Sequence, residues 1–154
     1  MFAHTLVIVA STFSQQAAAP DLSADLVALS QRLQAQAQRR AQDMARSPAA
    51  PVDALPVQDS VLTDLNEFAL EAHRLSRAID QSGGPTDLRC IFRGMSEDAE
   101  HRALLLSEPG TRADHARIYQ EIARLSGQAA EIAAAPEAQA ANHGISCPVE
   151  AFDQ

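Results

Sequence analysis

The chain has 154 residues, of which 46% are apolar and only 4% aromatic, and it carries a net charge of −8. That length suits one domain, and the acidic balance repels phosphate backbones, which makes nucleic acid a poor partner. Much of the apolar share is alanine, which favours helix but buries little area, so the core must rest on a modest set of Leu, Ile, Val and Phe. All 12 basic side chains are arginine. With abundant alanine, that usage suggests a GC-rich bacterial genome.

Residues 1–19 read as a secretory signal. Leu6-Val7-Ile8-Val9-Ala10 is a short apolar run, polar Ser14-Gln15-Gln16 comes next, and Ala17-Ala18-Ala19 offers an A-x-A end. Only His4 precedes the apolar run where Lys or Arg is usual, and Pro20 stands just after the best cleavage point. The alternative is an apolar N-terminal segment packed on the domain. The run is too short for a membrane span, which needs about 20 apolar residues.

Helical periodicity dominates the rest of the chain. In a first helix over about 21–46, Leu22, Leu26, Leu29, Leu33, Ala37, Ala41 and Met44 recur at three and four residues, with Asp21 or Ser23 as cap. Its Gln-rich far half, ending in Arg39, Arg40 and Arg46, is polar enough to protrude or fray. Three prolines make 47–57 a semi-extended linker. A second helix spans about 59–81, where Val61, Leu65, Phe68, Ala72, Leu75 and Ile79 form the best stripe in the chain. Ser82-Gly83-Gly84-Pro85 ends it, with glycine suited to the left-handed C-terminal position.

A third helix is expected over about 87–107, capped by Thr86, with Leu88, Ile91, Met95, Ala99, Ala103 and Leu106 as its stripe. Gly94 and the fresh start Ser96-Glu97-Asp98 leave open whether it is one helix or two. Glu108-Pro109-Gly110 is a turn, and Thr111 opens a fourth helix to about residue 135 with His115, Ile118, Ile122, Leu125, Ala129 and Ile132 on one face. No strand pattern stands out. The expected fold class is therefore all-α: an antiparallel bundle of about four amphipathic helices over 20–154, with an irregular tail at 137–154.

Cys90 and Cys147 are the only cysteines. In an exported chain an even count favours a structural disulfide, here pinning the tail to the third helix. The alternative is a reactive thiol at Cys90, whose neighbours Arg89 and Arg93 would lower its pKa. Arg89, Phe92, Arg93 and Met95 around it form a candidate interaction surface.

Asp98 and His101 share a helix face, and with His115 they are the candidate metal ligands. Di-iron bundles use such a spacing twice, with Glu; here it occurs once, with Asp, and a solvated or locally bonded histidine is the plainer explanation. C-x-x-C-H is absent, so covalent haem is not expected, and nothing selects a Met95–His115 haem pair. There is no G-x-S-x-G and no phosphate loop. No catalytic residue and no cofactor is expected.

These features predict an exported, periplasmic or secreted, non-enzymatic bundle. Its partner would be another protein in the bacterial envelope, or a second copy meeting it through amphipathic helices. It would keep no stable membrane span after processing. A periplasmic bundle binding a metal or small ligand is the alternative, and an enzyme with a hidden site ranks last.

Overall fold

The computed structural model describes residues 21–140. The signal segment, Cys147 and most of the expected tail lie outside them. The elements are α1 (Leu22–Met44), β1 (Pro51–Val52), α2 (Ser60–Gln81), α3 (Thr86–Leu106), β2 (Gly110–Thr111), α4 (Arg112–Ala133) and α5 (Pro136–Ala140).

The helices start and stop where local chemistry directs. Asp21 accepts from the Ala24 amide and Asp59 from the Val61 amide, each filling an orphan donor of a first turn. Thr111 and Asp114 complete a reciprocal capping box on α4. The Thr111 hydroxyl and amide hold the Asp114 carboxyl below the usual carboxylate range. At the end of α2, Gly83 has φ 67°, and the amides of Gly83 and Gly84 reach back to the carbonyls of Asp80 and Ile79. Those two bonds are a Schellman closure, which a left-handed glycine makes without strain. Gly84 packs so tightly that a Cβ there would stand 2.8 Å from the Ile79 side chain.

The four long helices run alternately up and down. Arg32 and Arg40 of α1 meet Asp64 and Asp59 of α2, Ser96 of α3 meets Ala69 of α2, and Arg102 of α3 meets Glu121 of α4. Arg112, the first residue of α4, donates to the carbonyls of Met44 and Asp43 and closes the ring against α1. Those are C-terminal carbonyls of α1, so a cation there also complements the helix dipole.

The apolar stripes meet in one core. Leu26, Leu33, Leu65, Phe68, Leu75, Ile79, Phe92, Leu106, Tyr119 and Ile122 are fully buried. α1 packs most closely on α4, where Ala37, Ala41, Ala123 and Ala129 let two backbones approach. α2 and α3 form the other close pair.

Five features refine or correct the sequence expectation. α3 is continuous through Gly94, because Ser96 donates its hydroxyl to the Ala69 carbonyl at 2.8 Å, tying two helices instead of capping a new one. Its N-cap position is Pro85, with no side-chain cap, and Thr86 is already helical. The polar half of α1 stays helical to Met44, since Arg40 is held by Asp59 at 2.8 Å. The linker carries β1, which pairs antiparallel with β2, Pro51 opposite Thr111 and Val52 opposite Gly110. Residues of the expected irregular tail form α5, which starts on Pro136 and buries Ala138.

Candidate functional site

Three seams of the bundle are bridged by charge or by small side chains. Between α1 and α2, Arg32 and Gln36 converge on Asp64 at 3.0 and 2.8 Å, and this bond raises the Arg32 pKa above its usual value. Between α3 and α4, Arg102, mostly covered, bridges Asp98 and Glu121. Between α1 and α4 alanine and glutamine line an uncharged hollow of about 320 Å3, Gln36, Arg39, Arg40, Asp43 and Ser60 border one of the same size at the α1–α2 edge, and Gln34 lies over Gly127, where a Cβ would clash with its amide at 2.5 Å.

The outer edge of the fourth seam, α2 with α3, is different. Three open hollows run along it and share walls. The first is bordered by Val57, Leu62, Asn66, Glu100 and Leu104, the second by Asn66, Leu70, His73, Ser96 and Glu100, and the third by His73, Ser76, Arg77, Asp80, Arg89 and Arg93. Their volumes are about 400, 270 and 310 Å3. All three are open and small beside enclosed small-molecule sites, and they adjoin, so a chain laid along the groove fits better than one compact ligand.

Chemistry is graded along this groove. Val57 is 84% exposed and Leu104 68%, and both edge the first hollow; Leu70, 48% exposed, edges the second. Isolated exposed apolar side chains need no explanation, but three of them along one concavity make this edge the candidate interaction surface. Ile91 and Leu105, also exposed, lie on the outside of α3.

The third hollow is basic. Asp80 accepts from Arg89 and, with Cys90 adding to the effect, holds that guanidinium more firmly charged. Arg93 has only Glu97, 3.9 Å away, and Arg77 has no ion-pair partner among the described residues. An excess of positive charge on an acidic chain is thus concentrated at one end of a groove whose middle carries Asn66, His73 and Glu100 and whose far end is edged by exposed Val57 and Leu104.

Each residue singled out in the sequence has a definite place. Arg89 and Arg93 line the groove. Phe92 is fully buried and Met95 nearly so, which moves both from the expected interaction surface into the core. They occupy the inward face of α3, about 90° or more around the helix from Arg93. Cys90 is exposed beside Arg89, and its expected partner Cys147 lies outside the described residues.

The candidate metal ligands do not converge. Asp98 pairs with Arg102, His101 is solvent-exposed, and His115 is buried at the start of α4. No group of three or more His, Cys, Asp or Glu side chains among the described residues is placed to hold a metal ion. His115 instead has Nε2 3.2 Å from the Glu108 carbonyl, so that nitrogen carries the proton, and its ring meets Tyr119 edge-on at 6.4 Å between centroids. No described helix is long and apolar enough to cross a membrane.

Sequence reasoning missed the α2 wall of the groove: Leu70, His73, Arg77 and Asp80. The signal was present in the tight 82–85 turn. A short αα-hairpin folds α3 straight back on α2, which sets Ser76 against Arg89 and Ala69 against Ser96. Comparison with protein-family models, with curated proteins and with solved structures returns no match.

Proposed function

We propose that this chain is an exported helical bundle, periplasmic or secreted, that acts without catalysis by binding another protein along the α2–α3 groove. The observation that carries this is the grading of the groove: exposed Val57, Leu104 and Leu70 at one end, and Arg77, Arg89 and Arg93 at the other. The partner segment is extended or helical, apolar along its length and acidic where it meets the arginines. Apolar contact supplies affinity, and the arginines fix direction and speed encounter.

The apolar run and A-x-A end at residues 1–19 support export. In an oxidising compartment Cys90 and Cys147 form a disulfide, which suits a bundle with so few aromatics.

A photo-crosslinking residue placed at Leu70, at Leu104, or at exposed Arg124 on α4 tests the groove in the native host. Capture of one protein from positions 70 and 104 but not 124, reduced at least tenfold by Arg77→Glu with Arg93→Glu, is the expected result. Equal capture at all three positions, or capture indifferent to the charge reversal, contradicts it. Capture of a second copy of this chain would replace the partner protein with self-association.

A further inference from the structure

We propose that the basic hollow at the α2–α3 edge is a binding site for a tetrahedral dianion of the phosphate or sulfate type, held between Arg77 of α2 and Arg93 of α3 with Arg89 behind it.

The backbone sets the walls. His73, Ser76, Arg77 and Asp80 recur at three and four residues and share one face of α2; Arg89 and Arg93, four apart, share one face of α3. The 82–85 turn lays those faces side by side. Ser76, only 4% exposed, donates its hydroxyl to the Arg89 carbonyl at 2.9 Å and fixes the two helices at this level. One turn further along α2, Asp80 takes the Arg89 guanidinium. Arg89 is thus a cation held in place by two residues of the opposite wall.

The other two arginines are uncommitted. Arg77 has no ion-pair partner among the described residues, and Arg93 has only Glu97 at 3.9 Å, with both of those side chains more than half exposed. Three guanidiniums against the one carboxylate of Asp80 leave a surplus of two positive charges around a hollow of about 310 Å3. A dianion cancels that surplus, whereas a carboxylate or chloride cancels half of it. Each guanidinium offers a planar fork to two oxygens of an oxyanion, and forks from opposite walls grip different edges of a tetrahedron. His73 adds a ring N–H on the α2 side. The chain as a whole, at −8, repels anions, so a dianion taken up here is held by the hollow and not by the general field.

Arg39, on the rim of the α1–α2 hollow, is the matched control. It too is exposed and without an ion-pair partner among the described residues, but its neighbour Arg40 is taken by Asp59 and Asp43 shares the rim. The dianion site needs no partner protein. Where the groove does dock one, the dianion and the partner's acidic end compete for the same arginines.

The test titrates the purified full chain with inorganic phosphate and with sulfate at constant ionic strength, reading the arginine Nε–Hε signals by NMR. Those of Arg77 and Arg93 should shift saturably with either dianion, and acetate should need a concentration about tenfold higher or more. Arg77→Gln with Arg93→Gln should weaken phosphate binding by about tenfold or more in calorimetry, and Arg39→Gln should leave it unchanged. Shifts that never saturate, equal affinity for acetate, or an equal loss from Arg39→Gln overturns the proposal. Vesicles containing phosphatidic acid separate two sources of the same group. Cosedimentation that is lost in the double variant assigns it to a lipid headgroup, and phosphate binding without cosedimentation assigns it to the free ion. Phosphate binding without photo-capture of any protein keeps this site and removes the partner. Arginine-dependent capture without phosphate binding keeps the partner and removes this site.

Discussion

Tyr119 is fully buried at the heart of the bundle, and its hydroxyl finds no hydrogen-bond partner among the described residues. Burial pushes its phenol above the usual value of 10.0; Arg40 pulls it down and Asp59 adds to the rise. As pH climbs, the unfolded chain loses that proton before the folded one. The contribution is therefore intact below about pH 10 and is lost as pH rises through the folded value. Tyr119→Phe should change stability at neutral pH by no more than about 1 kcal/mol, since an unpaired buried hydroxyl contributes little. It should also flatten the loss above about pH 10, and denaturant midpoints measured at about pH 7 and pH 11 check both statements. Two glycines make an opposed pair. A Cβ at Gly94 meets nothing within 4 Å, so Gly94→Ala should stabilise α3 by about 1 kcal/mol. Gly83 holds φ 67°, so Gly83→Ala should cost about 1–2 kcal/mol in the same urea titration.

At the scale of elements, α1 is held to α2 by a polar ladder and to α4 by alanine packing. Asp64, only 9% exposed, anchors the ladder by accepting from Arg32 and Gln36. Half of the Arg32 side chain is exposed, so solvent screens the pair, and Asp64→Ala should cost about 1–2 kcal/mol. Phe68→Ala, emptying the centre of the α2 stripe, should cost about 3–5 kcal/mol. A loss of the same size from Asp64→Ala would show the ladder, not apolar burial, to be the main bond between these helices. The four helices were legible because each stripe repeats at three and four residues, and because Asp21, Asp59, Thr111 and Gly83 mark four of their ends. β1 and β2 were not, because two-residue strands have no period, and their pairing depends on how the linker crosses the α3–α4 turn. Ser96 misled for a related reason: its sequence neighbours resemble a helix start, but its hydroxyl is committed to Ala69 on another helix. The groove was half legible. Arg89 and Arg93 stood out beside Cys90, whereas Phe92 and Met95 share their string but face inward.

For the whole molecule, single hollows lie on the α1–α4 and α1–α2 edges, whereas the α2–α3 edge carries three adjoining ones, with exposed apolar side chains at one end and arginines at the other. The proposed function has one premise: export to a compartment where Cys90 and Cys147 are oxidised. Export should remove residues up to about Ala19, and the bridge should leave no free thiol. The most direct measurement is the intact mass of the protein recovered from its native host, unreduced and treated with a thiol alkylator. A chain shortened at its N-terminus and carrying no alkyl groups is the predicted result. A full-length chain alkylated at both cysteines would contradict it, and would leave Cys90, exposed beside Arg89, as a free thiol in a reducing compartment.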